Sequence, residues 1–105
     1  MEPSAPAAAP VAAAWRTNPL IELHWRDWGD DSVVFEARSG QLFQFDPLAA
    51  ALMACFEAGP RALDGVVAEL AGDLGVPAEG EVGDTVHALV EEFRRLGWLE
   101  PIIGA

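Results

Sequence analysis

Two histidines, His24 and His87, one cysteine, Cys55, and the adjacent acid pairs Asp30-Asp31 and Glu91-Glu92 are the side chains here that invite a chemical reading. Histidines and cysteines hold a metal when they recur at short intervals that put several donors around one ion. Neither histidine has a partner at H-x-x-x-H or E-x-x-H spacing, and Cys55 has no second cysteine, so no metal site is expected. Nucleophilic catalysis needs a serine or thiol beside a base. There is no G-x-S-x-G elbow, and Cys55 lies within the apolar run of residues 48–56, where it reads as a small core residue. The glycines form no G-x-G-x-x-G or Walker loop, and the acid pairs read as a solvated turn and a solvated helix face. No cofactor and no enzymatic activity are expected.

If the side chains do no chemistry, function must lie in surfaces. The chain has 105 residues with 51% apolar content, enough for one core of modest size. Seventeen acids against six bases, all arginine, give a formal charge of -11, which repels DNA and anionic lipid and favours neutral or basic peptide and protein partners. Residues 1–14, "MEPSAPAAAPVAAA", carry Glu2, lack a basic start and contain three prolines, so they read as a flexible tail rather than a secretion signal. The longest apolar run, "LAAALMACF", is about half of the roughly 20 residues that span a bilayer. A soluble, cytoplasmic protein is the expectation, with its folded part at residues 15–103.

Ile21, Leu23 and Trp25 alternate with Glu22, His24 and Arg26, which predicts a strand over 21–26 with one face buried. "DWGDD" supplies turn chemistry, and residues 32–37 return antiparallel with Val33 and Phe35 on one face and Val34 and Glu36 on the other. Gly40 can take positive φ in the next turn, and 41–45 form a third strand, with Phe43 and Phe45 opposite Leu42 and Gln44. Asp46-Pro47 then offers a capping carboxylate and a residue pre-set for the first helical position. Three helices follow in the pattern. The first, 47–57, is apolar all round, and the second, 63–74, closes at Gly75-Val76-Pro77. The third, starting at 79 or 84 and ending near 96, carries Val82, Val86, Leu89, Phe93 and Leu96 as one stripe. Residues 98–101 are expected to be extended and to fold back on the core. The fold class is therefore α+β and winged-helix-like, a three-stranded antiparallel sheet followed by three helices.

A winged-helix outline raises DNA binding as one function. A recognition helix must present several cations to phosphates, whereas the third helix sets Arg94 and Arg95 among Glu81, Asp84, Glu91 and Glu92. The third strand points elsewhere. It has no charge and no internal proline, the devices that normally blunt a row of unpaired N–H and C=O groups, so it can accept an extended peptide as an added strand beside the third helix. The same edge can instead serve a homodimer, a purely structural use. Phe43, Phe45, Val86 and Phe93 are also the residues a core would use.

"WRTNP" at 15–19, "HWRDW" at 24–28, "VVFEARSG" at 33–40, "FDPLAAALMACFEAGP" at 45–60 and "LVEEFRRLGWLE" at 89–100 together resemble PqqD-like proteins. The branch they resemble is the PqqD-like peptide chaperones associated with an HPr-kinase-related protein. Relatives often carry Thr-His after the turn, where this chain has Leu42-Phe43. The resemblance implies a RiPP recognition element: a non-catalytic, winged-helix-like adaptor that holds the leader of a ribosomally made precursor peptide and presents it to a modifying enzyme. Carried onto this chain, it implies peptide-binding positions at Gln41, Leu42, Phe43 and Gln44 on the strand and Val86, His87, Val90 and Arg94 on the helix. The implied partners are the precursor peptide and a modifying enzyme, among them the HPr-kinase-related protein, with no nucleic acid and no membrane.

Overall fold

The computed structural model describes residues 12–103. Its elements run β1 (Ala12–Thr17), β2 (Leu23–Trp28), β3 (Asp31–Glu36), β4 (Gln41–Phe45), α1 (Pro47–Glu57), α2 (Leu63–Leu74), α3 (Glu81–Arg95) and β5 (Leu99–Ile103). The fold is mixed α+β as expected, with the antiparallel sheet β2-β3-β4 and three helices. It also has a second sheet, β1-β5, that the alternation pattern did not reveal.

Strand positions follow from local bonding. The first strand of the three-stranded sheet begins at Leu23 rather than Ile21, because Asn18 Oδ1 accepts from Leu20 N and Asn18 O from Ile21 N, which holds the preceding residues in a turn. Trp28 pairs with Asp31, so the turn narrows to Gly29 and Asp30, with Gly29 at φ 66° where a side chain would be strained. β4 and the first two helices occupy the predicted spans. Asp46 Oδ1 accepts from Ala49 N at 2.9 Å and Pro47 takes the first position of α1. α3 starts at Glu81, between the two starts the sequence allowed, and carries Arg94 and Arg95 in its last turn, where cations suit the helix dipole.

The extended segment expected at 98–101 becomes β5 and pairs antiparallel with β1, setting Trp15 opposite Pro101 and Arg16 opposite Glu100. Ala12 to Ala14, expected in a flexible tail, therefore belong to a strand, and residues 1–11 lie outside the described residues. The cause is Trp15. Its side chain is buried, and its N–H and C=O exchange bonds with Arg61 at 2.8 and 3.0 Å. Thr17 Oγ1 and Asn18 Nδ2 donate to the carbonyls of Phe56 and Gly97, tying the same segment to the ends of α1 and α3.

The core lies between the inner face of the three-stranded sheet and the helices. Trp98, Phe56, Phe93, Leu52, Met53, Leu99 and Val34 are its largest fully buried side chains.

Candidate functional site

β4 follows from a turn and a cap: Gly40 at φ 75° reverses the chain after β3, and Asp46 begins α1, so five residues are left as the last strand of the sheet. β3 pairs with β4 on one side, and among the described residues no strand pairs with its other side. The edge is therefore open and, with the sequence QLFQF, uncharged.

The two faces of β4 do different work. Phe43 and Phe45 turn inward and are half-buried. Phe43 meets Trp98 edge-on with ring centroids 4.9 Å apart, Phe45 meets Phe93 edge-on at 5.3 Å, and Phe93 stacks on Trp98 at 5.7 Å. These four rings form a floor between β4 and the end of α3, in the mixed edge-to-face and stacked geometries that the ring quadrupoles prefer. Leu42 and Gln44 turn outward; Leu42 is 68% exposed and Gln44 Nε2 donates to Asp31 Oδ2 at 2.9 Å. Gln41 N donates to Ser39 Oγ.

Behind this floor is a buried carboxylate. Glu36, at the inner end of β3, is 5% exposed and accepts from Trp98 Nε1 and from Ser39 Oγ. One side chain thus links the β3-β4 turn to Trp98, just before β5. Two donors satisfy a group whose desolvation would otherwise be costly.

The helix residues expected at the site divide differently. Val86 and Val90 are 0% and 1% exposed, core residues with no surface for a visiting strand. His87 is exposed but borders a hollow of about 390 Å³ between α2 and α3, together with Asp64, Val67 and Gly83. Arg94 is exposed and lies within 4.0 Å of Glu91. With 3.6 residues per turn, these four positions spread over roughly 100° and run from the buried stripe toward the α2 side. The opposite rim carries Thr85, Leu89, Glu92 and Leu96, of which Leu89 and Leu96 are half-buried against the core. Thr85 lines a hollow with Leu48, Leu74 and Val82, and the contact between α3 and β4 runs through Phe93 against Phe45. Leu89 and Leu96 belonged to the predicted stripe and lie at its half-buried margin.

The groups with reactive potential remain apart. Among the described residues no group of three or more His, Cys, Asp or Glu could hold a metal ion. His24 Nε2 lies 2.6 Å from Glu22 Oε2 at the surface, far along the chain and in a different element from His87. Cys55 is partly buried; burial raises its thiol above the ordinary value, Glu69 adds to this, and Arg61 opposes it. A protonated thiol is a poor nucleophile. No helix among the described residues is long and apolar enough to cross a membrane.

The family model described as "Coenzyme PQQ synthesis protein D (PqqD)" matches residues 31–99, which run from the start of β3 to the start of β5. No curated protein and no solved structure matches the chain.

Proposed function

This chain belongs to the PqqD family, and on that premise we propose that it holds a precursor peptide as an added strand along β4 and presents it to a modifying enzyme. Members of the family are non-catalytic recognition elements, and their general role is that of a chaperone binding a ribosomally synthesised precursor peptide. The single observation that carries the mechanism is the open, uncharged edge of β4. Main-chain pairing supplies affinity that depends little on the guest's sequence, and side chains of the guest meet a shallow apolar trough. Phe43 and Phe45 form its floor, with Phe93 of α3 against Phe45. On the strand the contacts are Gln41, Leu42, Phe43 and Gln44. On the helix the proposed contacts are those the resemblance implies, of which Val86 and Val90 are buried and His87 and Arg94 exposed, with Arg94 at the end of α3 available to an acidic residue of the guest. The net charge of -11 favours a guest with basic residues and speeds its arrival.

The winged-helix-like description and the branch associated with an HPr-kinase-related protein belong to this proposal and rest on the quoted motifs. So does a cytoplasmic setting, where precursor peptides are made.

The test is a titration of isotope-labelled protein with the precursor peptide encoded beside its gene. Amide shifts should concentrate on Gln41 to Phe45 and on α3 from Val86 to Arg94. Shifts confined to α3 on adding duplex DNA at low salt would replace this reading with a regulator. A particle mass that falls from dimer to monomer on adding peptide would show that the edge also serves a homodimer.

A further inference from the structure

The outer face of the three-stranded sheet is apolar, and no other described element covers it. The register sets His24, Phe35 and Leu42 in one row across it and Arg26, Val33 and Gln44 in the next, with Trp28 beyond. Trp28 is 67%, Leu42 68% and Phe35 41% exposed, so three of the six large exposed hydrophobics among the described residues share this face. They border hollows of about 590 and 300 Å³. The central strand reads Val33-Val34-Phe35 without a polar break, the pattern of a strand buried on both sides rather than one. The helices cover only the Val34 side.

We propose that this face docks an amphipathic helix of another protein, apolar along one side and basic at the end that lies over the β2-β3 turn. Size selects a helix. Six-residue strands at about 3.3 Å per residue and three strands at about 4.8 Å spacing give a face of roughly 300 Å², which matches one helix of about 13 residues. A stable dimer needs about 800 Å² per partner, so a second copy would be too weakly held here, and each copy would bring a charge of -11. Charge selects the flank. Asp27, Asp30 and Asp31 crowd the Trp28 end, and Arg26 is the single arginine on the face. Covering a sheet face with a helix is also the ordinary way such a layer is completed. The inference rests on the adaptor reading and adds to it: the edge of β4 takes the guest, and the face holds the second protein that receives it.

Two synthetic 14-residue helices with the same leucine stripe, one ending in lysines and one in glutamates, test this. The lysine helix should shift the amides of Val33 and Phe35 and the indole N–H of Trp28, with binding that weakens as salt rises. It should bind at least about tenfold tighter than the glutamate helix. Phe35→Asp should abolish that binding while leaving shifts at His87 and Arg94 on adding precursor peptide, which also reports that the variant is folded. Asp27→Asn with Asp30→Asn should bring the two helices to equal affinity. Equal affinity in the unmodified protein, or shifts away from this face, would overturn the proposal. So would a doubled particle mass lost in Phe35→Asp, or movement of the Val33 and Phe35 signals on deleting residues 1–11, which would make a second copy or the chain's own start the occupant. A protein that binds its precursor peptide and neither helix refutes the docking face alone; one that binds the lysine helix and no precursor peptide supports the face and refutes the adaptor reading.

Discussion

The inner and outer faces of the three-stranded sheet use the same kinds of side chain under opposite constraints. Trp98, packed against the inner face, is fully buried, its ring surrounded by Phe43, Phe45 and Phe93 and its N–H bonded to Glu36. Trp28, on the outer face, is two-thirds exposed. The difference separates stability from recognition: apolar groups inside have already lost their water, whereas those outside keep it until a partner arrives.

Substitutions that move this boundary test it, and the inner face should respond most. Trp98→Ala should cost about 3–5 kcal/mol in denaturant unfolding, since it opens a cavity beneath β4. A loss below about 1 kcal/mol would mean that the four rings are not the base on which the edge rests. Glu36→Ala leaves the Trp98 N–H buried without an acceptor and should cost about 1–3 kcal/mol, while Glu36→Gln, which keeps an acceptor, should cost less. Equal losses in the two variants would remove the role given to that bond.

The outer side should show the reverse. Leu42→Lys places a charge on the open edge and should weaken precursor-peptide binding about tenfold, about 1.4 kcal/mol, in a titration. Its unfolding free energy should stay within about 0.5 kcal/mol of the unmodified protein. Unchanged peptide affinity would detach the guest from β4.

The smallest effect concerns Cys55, which belongs to neither face. Because burial holds its thiol pKa above that of the unfolded chain, alkylation by iodoacetamide near pH 8 should be slower in the folded protein than in urea. The sign for stability follows. The contribution is complete below the unfolded pKa and is lost as pH rises through the folded one, so Cys55→Ala should flatten the alkaline decline. Equal alkylation rates would contradict the burial.

Local sequence made much of this legible. Asp46-Pro47 and Gly75 mark helix ends, and Gln41–Phe45 alternates at period two, because caps, turns and faces depend on residues a few positions apart. β1 escaped because alanines carry little strand preference and its partner β5 lies some eighty residues away. The helix half of the site was less legible: Val86 and Val90 fit a contact face as well as a core stripe by spacing, and only the packed fold shows them buried.

By itself, then, the sequence determined the three-stranded sheet, the three helices, the absence of charge on β4 and the acidic surface, all properties of residue type and short spacing. Only the tertiary structure decided which face of the sheet is covered, that Val86 and Val90 of α3 are buried, and that no described strand closes the edge of β4. Those are outcomes of packing between segments far apart in the chain, where each element's choice of face depends on what the others leave exposed.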